Sequence, residues 1–211
     1  MAAGMSTPAS VAVIIPTVRP GRNGPKVAKL VIETIQKALP KGVTLKIIDL
    51  AEWKLPVFEG AEVPFTITNS ELYSSDISRR WSREISGHQG YIFLVPEYNG
   101  SYAGSLKNAV DYLYNEWSKK AAMIVNYGAQ PAEALKGGNH FTGVLSQLQM
   151  KVPSVLPKVS VSTLDREKTA AGEDLVFYKE EIKSQVQDEI ALAWQSMLRS
   201  LQLSSVSPAS A

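Results

Sequence analysis

Apolar residues along this chain alternate between short unbroken runs and longer stretches with helical spacing. Five runs predict strands. Val11-Ala12-Val13-Ile14-Ile15 is apolar throughout, as a strand buried on both faces should be. Leu45 to Leu50, Tyr91 to Val95 and Ala121 to Asn126 are the next three. Ser154 to Val161 is the fifth, and Pro153 and Pro157 place it at a sheet edge. Helical periods lie between them. Val27, Leu30, Val31, Ile35 and Leu39 mark a helix over Lys26 to Leu39. Further helices are predicted over about Ser75 to Gly87, Ala103 to Trp117, Phe141 to Met150 and Glu173 to Leu201. The charges from Lys168 to Glu181 read as a solvated helix face.

Strand–helix alternation of this kind predicts a parallel α/β sheet with helices on both faces. The common solution is a flavodoxin-like three-layer sandwich with five parallel strands in the order 2-1-3-4-5. One stretch breaks the alternation. Residues 51–74 lack clear periodicity, and segments of this length are either functional lids and interfaces or packed surface excursions. In the second case Trp53 and Phe58 would pin it down. Residues 10–203 are expected to form a single domain, with a flexible N-terminus over residues 1–9 and a flexible tail over 204–211.

Composition narrows the chemistry. The 211 residues contain no cysteine and two histidines, His88 and His140. Disulfides, thiolate nucleophiles and iron–sulfur clusters are excluded, and a His-rich metal site is not expected. Redox chemistry, if present, must use a bound organic cofactor. Twenty-two basic against twenty acidic residues give a net charge of +2, which offers nucleic acid no basic patch to read. The small, polar start of the chain has no signal-peptide pattern, and no apolar run is long enough to span a bilayer. A cytoplasmic protein is the expectation, and the Asn99-Gly100-Ser101 sequon is then irrelevant.

In a sheet of this order, ligands bind beyond the carboxyl ends of the strands, where strands 1 and 3 diverge. After strand 1 comes Pro16-Thr17-Val18-Arg19-Pro20-Gly21-Arg22-Asn23-Gly24-Pro25-Lys26, and then a helix. Hydroxyl, amide and guanidinium groups at a helix N-terminus suit an anion, although neither a P-loop nor a GxGxxG spacing is present. After strand 3 comes Pro96-Glu97-Tyr98-Asn99-Gly100-Ser101-Tyr102. Here Pro96 ends the ladder, Asn99-Gly100 signals a turn, and the turn is expected to expose successive backbone donors and acceptors. After strand 4, Tyr127-Gly128-Ala129 permits close approach of a ligand to backbone.

The strand 3 segment, with Leu106-Lys107-Asn108-Ala109-Val110-Asp111 behind it, resembles the signature of the NADPH-dependent FMN reductases, the flavodoxin-like NAD(P)H quinone reductases. Thr17, Arg19 and Asn23 match that family's first loop, with Pro16 where a glycine is usual. Ala129 stands for the second glycine of the third loop. The resemblance implies non-covalent FMN, with its phosphate on Thr17, Arg19 and Asn23. Its ring would lie against Pro96, Glu97, Tyr98, Asn99 and Gly100 and against Tyr127, Gly128 and Ala129. It implies ping-pong transfer of two electrons from NADPH or NADH to a quinone, a flavin or a similar acceptor. An electron-carrier flavodoxin or an FMN-binding interaction module is the alternative. Hydride transfer needs no nucleophile and no strong base, so no catalytic side chain and no metal ligand are named. Arg22 is a spare cation suited to the 2′-phosphate of NADPH. A homodimer or homotetramer is implied, with Trp81, Trp117 or the Trp53 to Phe58 stretch as interface candidates. His140 is placed on a loop near the site, and His88 at a helix end.

Overall fold

The structure is a computed structural model and describes residues 8–204. The expected flexible ends, apart from residues 8, 9 and 204, lie outside the described residues. The chain runs β1 (Ala9–Ile15), α1 (Gly24–Gln36), β2 (Val43–Asp49), α2 (Leu50–Trp53), α3 (Asp76–Ser86), β3 (Gly90–Pro96) and α4 (Gly104–Asp111). It continues with β4 (Ala121–Gly128), α5 (Pro131–Gln147), β5 (Lys158–Ser160), α6 (Arg166–Ala171) and α7 (Glu180–Ser204). The five strands form one sheet in the order β2-β1-β3-β4-β5, parallel at every pairing.

Side chains alternate across a strand, and here both sets are apolar. Val11, Val13, Ile92, Leu94, Met123 and Val125 face α1 and α7, meeting Val27, Val31, Ile35, Ile190, Trp194 and Met197. Ala12, Ile14, Tyr91, Phe93, Val95 and Ile124 face α3, α4 and α5, meeting Trp81, Ile85, Leu106, Val110 and Phe141. The result is the flavodoxin-like three-layer sandwich read from the sequence.

Several element boundaries differ from the sequence reading. β5 is confined to three residues, because pairing begins only after Pro157, whose carbonyl accepts from Asn126 N–H. α4 stops at Asp111, and turns carry the chain to Trp117. α5 begins ten residues before the predicted start, with Gly137 and Gly138 inside the helix. The charged stretch 168–181 is not one helix face: α6 ends at Ala171, and α7 starts at Glu180.

Residues 54–75 hold two single-turn helices and are pinned to the sandwich. Trp53 packs edge-on against Trp81 at 4.8 Å, and Phe58 lies 5.0 Å from Tyr112. The Asn108 side chain accepts from Phe58 N–H (2.8 Å) and donates to Pro56 O (2.7 Å). Asn115 donates to the carbonyls of Phe65 and Ile67. Trp81 and Trp117 are 0% and 1% exposed, so neither meets a partner subunit. They belong to the core, and Trp81 donates to Ala109 O at 2.8 Å. Among the described residues no helix is long and apolar enough to cross a membrane.

Candidate functional site

The loop after β1 delivers an open helix end. Asn23 occupies the cap position of α1 but makes no side-chain capping bond, and the first turn holds no acidic residue. Pro25 has no N–H to satisfy, and the remaining first-turn amides have no partner within the helix. Gly24 is required because a Cβ there would stand 2.7 Å from Ile15 Cγ2. Thr17 is buried, and its hydroxyl accepts from Tyr127 Oη at 3.5 Å. Burial raises the Tyr127 phenol well above its ordinary value and keeps it neutral. Arg19 is exposed, and its Nε donates to Tyr98 Oη at 3.2 Å.

Arg22 is not spare. Its two terminal nitrogens donate to the two carboxylate oxygens of Asp49, each at 2.5 Å, and it also donates to the Thr17 carbonyl. Asp49 in turn caps α2 by accepting from Ala51 N–H at 3.0 Å. The hydrogen bonds to Asp49 outweigh burial and raise the Arg22 pKa above its ordinary value. A bidentate pair of this kind is neutralised and fixed in direction, so the expected role of Arg22 toward a 2′-phosphate is withdrawn.

The turn after β3 is tighter than its sequence suggests. Glu97 N–H donates to Tyr127 O (2.8 Å), and Tyr98 and Ser101 exchange both backbone bonds (2.7 and 3.0 Å). Asn99 and Gly100 take φ of 50° and 80°, the left-handed pair that Asn-Gly favours. The Glu97 carboxylate accepts from Gly100 N–H at 2.5 Å. Three of the turn's amides are therefore committed within it and a fourth, that of Glu97, to β4. From Glu97 to Ser101 the Asn99 amide alone has no partner among the described residues, so the expected row of free donors there reduces to one. Gly128 allows β4 to meet α5, since a Cβ would lie 2.9 Å from Ala134 Cα and 3.0 Å from Glu97 Cβ.

These loops converge on one cavity of about 560 Å³. Thr17, Arg19, Asn23, Pro96, Glu97, Tyr98, Tyr127, Gly128 and Ala129 line it, while Asn99 and Gly100 sit on the turn outside its lining. His140 lies on exposed helix surface, with Nδ1 3.3 Å from Ser101 Oγ, and is not in the lining. His88 lies beside Ser10, near the start of β1 and so at the opposite, amino end of the strands.

Sequence reasoning missed a whole wall. Val161, Leu164, Arg166, Thr169 and Ala170 close the cavity from the segment after β5. That segment folds back on itself: Asp165 N–H donates to Val176 O (2.7 Å), and Tyr178 N–H to Thr163 O (3.0 Å). Lys26 donates to Thr169 O, and Lys29 pairs with Asp174 at 2.7 Å, tying the wall to α1. The available signal was Asp165, which caps α6 by accepting from Lys168 N–H at 3.1 Å.

The donor set suits a phosphorylated planar heterocycle. An uncapped helix end with Arg19, Lys26 and Thr17 accommodates a phosphate. Pro96, Tyr98 and the backbone of Gly128–Ala129 offer flat apolar surface beside it. The volume falls within the roughly 300–1,000 Å³ of small-ligand sites.

Comparison with known proteins points the same way. Residues 9–162 match the family model described as NADPH-dependent FMN reductase. The chain is 37% identical over 149 residues to the NAD(P)H-dependent FMN reductase ntnL of a Nectria species, spanning 68% of this chain and 71% of that one. It is 32% identical over 160 residues to the NAD(P)H-dependent FMN reductase LOT6 of Saccharomyces cerevisiae, spanning 73% and 83%. Among solved structures it resembles in fold the flavoenzyme NAD(P)H:(acceptor) oxidoreductase FerB of Paracoccus denitrificans. There the TM-score is 0.64 at 17% identity, covering 92% of this chain and 97% of that one.

Proposed function

The chain belongs to the NADPH-dependent FMN reductase family, an assignment that makes it an FMN-dependent NAD(P)H oxidoreductase, and on that premise we propose how its own residues serve the reaction. The observation that carries the proposal is the single cavity in which the uncapped start of α1 meets the turns after β3 and β4. FMN held there would supply the two-electron chemistry between NAD(P)H and a quinone, a flavin or a similar acceptor.

Thr17, Arg19, Asn23 and the first-turn amides of α1 hold the phosphate, and Lys26 adds charge beside them. Pro96, Tyr98 and the Tyr127–Ala129 backbone support the ring, and the Asn99 amide is the free donor of its turn. Val161 and Leu164 exclude water from the wall side. Glu97 acts as a staple for the turn rather than as an acid or base, because its carboxylate is engaged by Gly100 N–H. Rate enhancement then comes from positioning the reacting atoms. The same proposal takes residues 10–203 as one FMN-binding domain acting in the cytoplasm as a homodimer or homotetramer. Exposed Val57, Val63, Phe65 and Leu72 support assembly, and sedimentation checks it.

The test is FMN titration of the apoprotein with Arg19→Ala beside wild type. Loss of a charge-assisted phosphate contact worth about 1.5–3 kcal/mol raises the FMN Kd about tenfold or more. An unchanged Kd overturns the phosphate assignment. Stopped-flow mixing with NADPH separates the reductase from an electron carrier, whose flavin would stay oxidised.

A further inference from the structure

We propose that Arg166 is a specificity-determining residue that engages a phosphate of the incoming nicotinamide dinucleotide. This rests on the reductase reading above and assigns a role to a wall that, apart from Val161, lies beyond residues 9–162, the span matched by the family model.

The cavity carries an excess of positive charge. Its lining contains four cations, Arg19, Arg22, Lys26 and Arg166, and one acid, Glu97. Arg22 is cancelled by Asp49, and Glu97 is turned onto Gly100 N–H. A phosphate monoester carries about −1.5 to −2 at neutral pH. Arg19, Lys26 and the start of α1 meet that charge for the cofactor. Arg166 is left over. Among the described residues it has no hydrogen bond, ion pair or ring contact, whereas each of the other three cations has at least one. It is exposed at the rim, on a wall braced from behind by Lys26 and by the Lys29–Asp174 pair. An unpaired planar guanidinium on a braced rim is suited to bidentate capture of a second phosphate. The second anion this reaction brings to the cavity is the dinucleotide, through its 2′-phosphate or its pyrophosphate.

The experiment compares wild type, Arg166→Gln and Arg166→Lys as FMN-loaded enzymes, with NADPH and NADH as alternative donors. In Arg166→Gln, a fall of about tenfold in the NADPH-to-NADH ratio of kcat/KM assigns the 2′-phosphate. A joint fall of about tenfold for both donors assigns the pyrophosphate. In either case Arg166→Lys recovers part of the loss. Values for both donors within twofold of wild type overturn the proposal. So does a rise of more than threefold in the FMN Kd, which would make Arg166 part of the cofactor's own phosphate site. Calorimetric titration of the loaded proteins with adenosine 2′,5′-bisphosphate and with ADP requires no turnover. If wild type oxidises neither donor, the reductase reading fails. The proposal then stands if the Gln variant binds one of these nucleotides about tenfold more weakly than wild type, and falls if it binds both equally well.

Discussion

Breaking the Arg22–Asp49 pair should loosen the loop after β1 by an amount the geometry fixes. Asp49→Asn is the informative change, because Asn keeps an oxygen to accept from Ala51 N–H and so preserves the α2 cap. What it removes is the negative partner of a guanidinium whose side chain is 18% exposed, facing a carboxylate 11% exposed. Leaving a buried charge unpaired costs about 3–5 kcal/mol. The residual exposure and the surviving bond from Arg22 to Thr17 O bring this to about 2 kcal/mol, the middle of the range for hydrogen bonds to charged groups. For a fold of this size about 2 kcal/mol lowers Tm by about 4–8 °C. Denaturant unfolding of the apoprotein is the assay, since FMN at a hundred times its Kd would add about 2.7 kcal/mol and fold any change in FMN affinity into the readout. Arg22→Gln and the double variant complete a cycle, in which the coupling energy should be about 1.5–3 kcal/mol. A coupling below about 0.5 kcal/mol would show that the pair does not hold the loop.

Three further outcomes follow from the same geometry. Gly138→Ala should destabilise the protein by about 1–3 kcal/mol through overpacking against the Asn126 side chain, more than the roughly 1 kcal/mol that alanine gains over glycine in a helix; equal or greater stability in urea would refute the close approach. Glu97→Gln should leave hydride transfer in place and raise the FMN Kd less than tenfold, because the amide oxygen can also accept from Gly100 N–H; loss of transfer with FMN still bound would restore a chemical role to the carboxylate. Burial holds the His88 pKa below its ordinary 6.5 despite the opposing pull of Glu84, with Ser10, Tyr91, Lys46 and Lys120 also facing it. The unfolded chain therefore binds that proton first, so stability is complete above about pH 6.5 and declines as pH falls through that value toward the folded pKa. His88→Asn should flatten the slope between pH 7 and 5.5, and an unchanged slope would place the titration elsewhere.

What was legible in the sequence was local. β1, β3 and β4 are apolar on both faces and declare themselves as runs, and Asn99-Gly100 declares its own turn. The fates of the two loop arginines were not legible, because they are decided by a carboxylate 27 residues away. Asp49 takes Arg22 out of ligand binding and leaves Arg19 to the cavity. The start of α5 shows the same limit from the other side. Gly137-Gly138 carries a local helix penalty and so reads as a boundary, yet both glycines lie within the helix. A Cβ at Gly137 would stand 3.0 Å from Pro96 O and 3.1 Å from Ser101 O, and one at Gly138 would collide with Asn126. The pair lets α5 press its backbone against the turn after β3, whose Pro96, Glu97 and Tyr98 line the cavity. The propensity cost of two glycines, about 1 kcal/mol each, is set against a contact that fixes Pro96 to Ser101 from behind, and only the tertiary structure contains that contact. A turn with four amides committed, three within it and one to β4, and a helix backbone behind it presents Tyr98 and the Asn99 amide in one orientation. That is the preorganisation a reaction run by positioning requires.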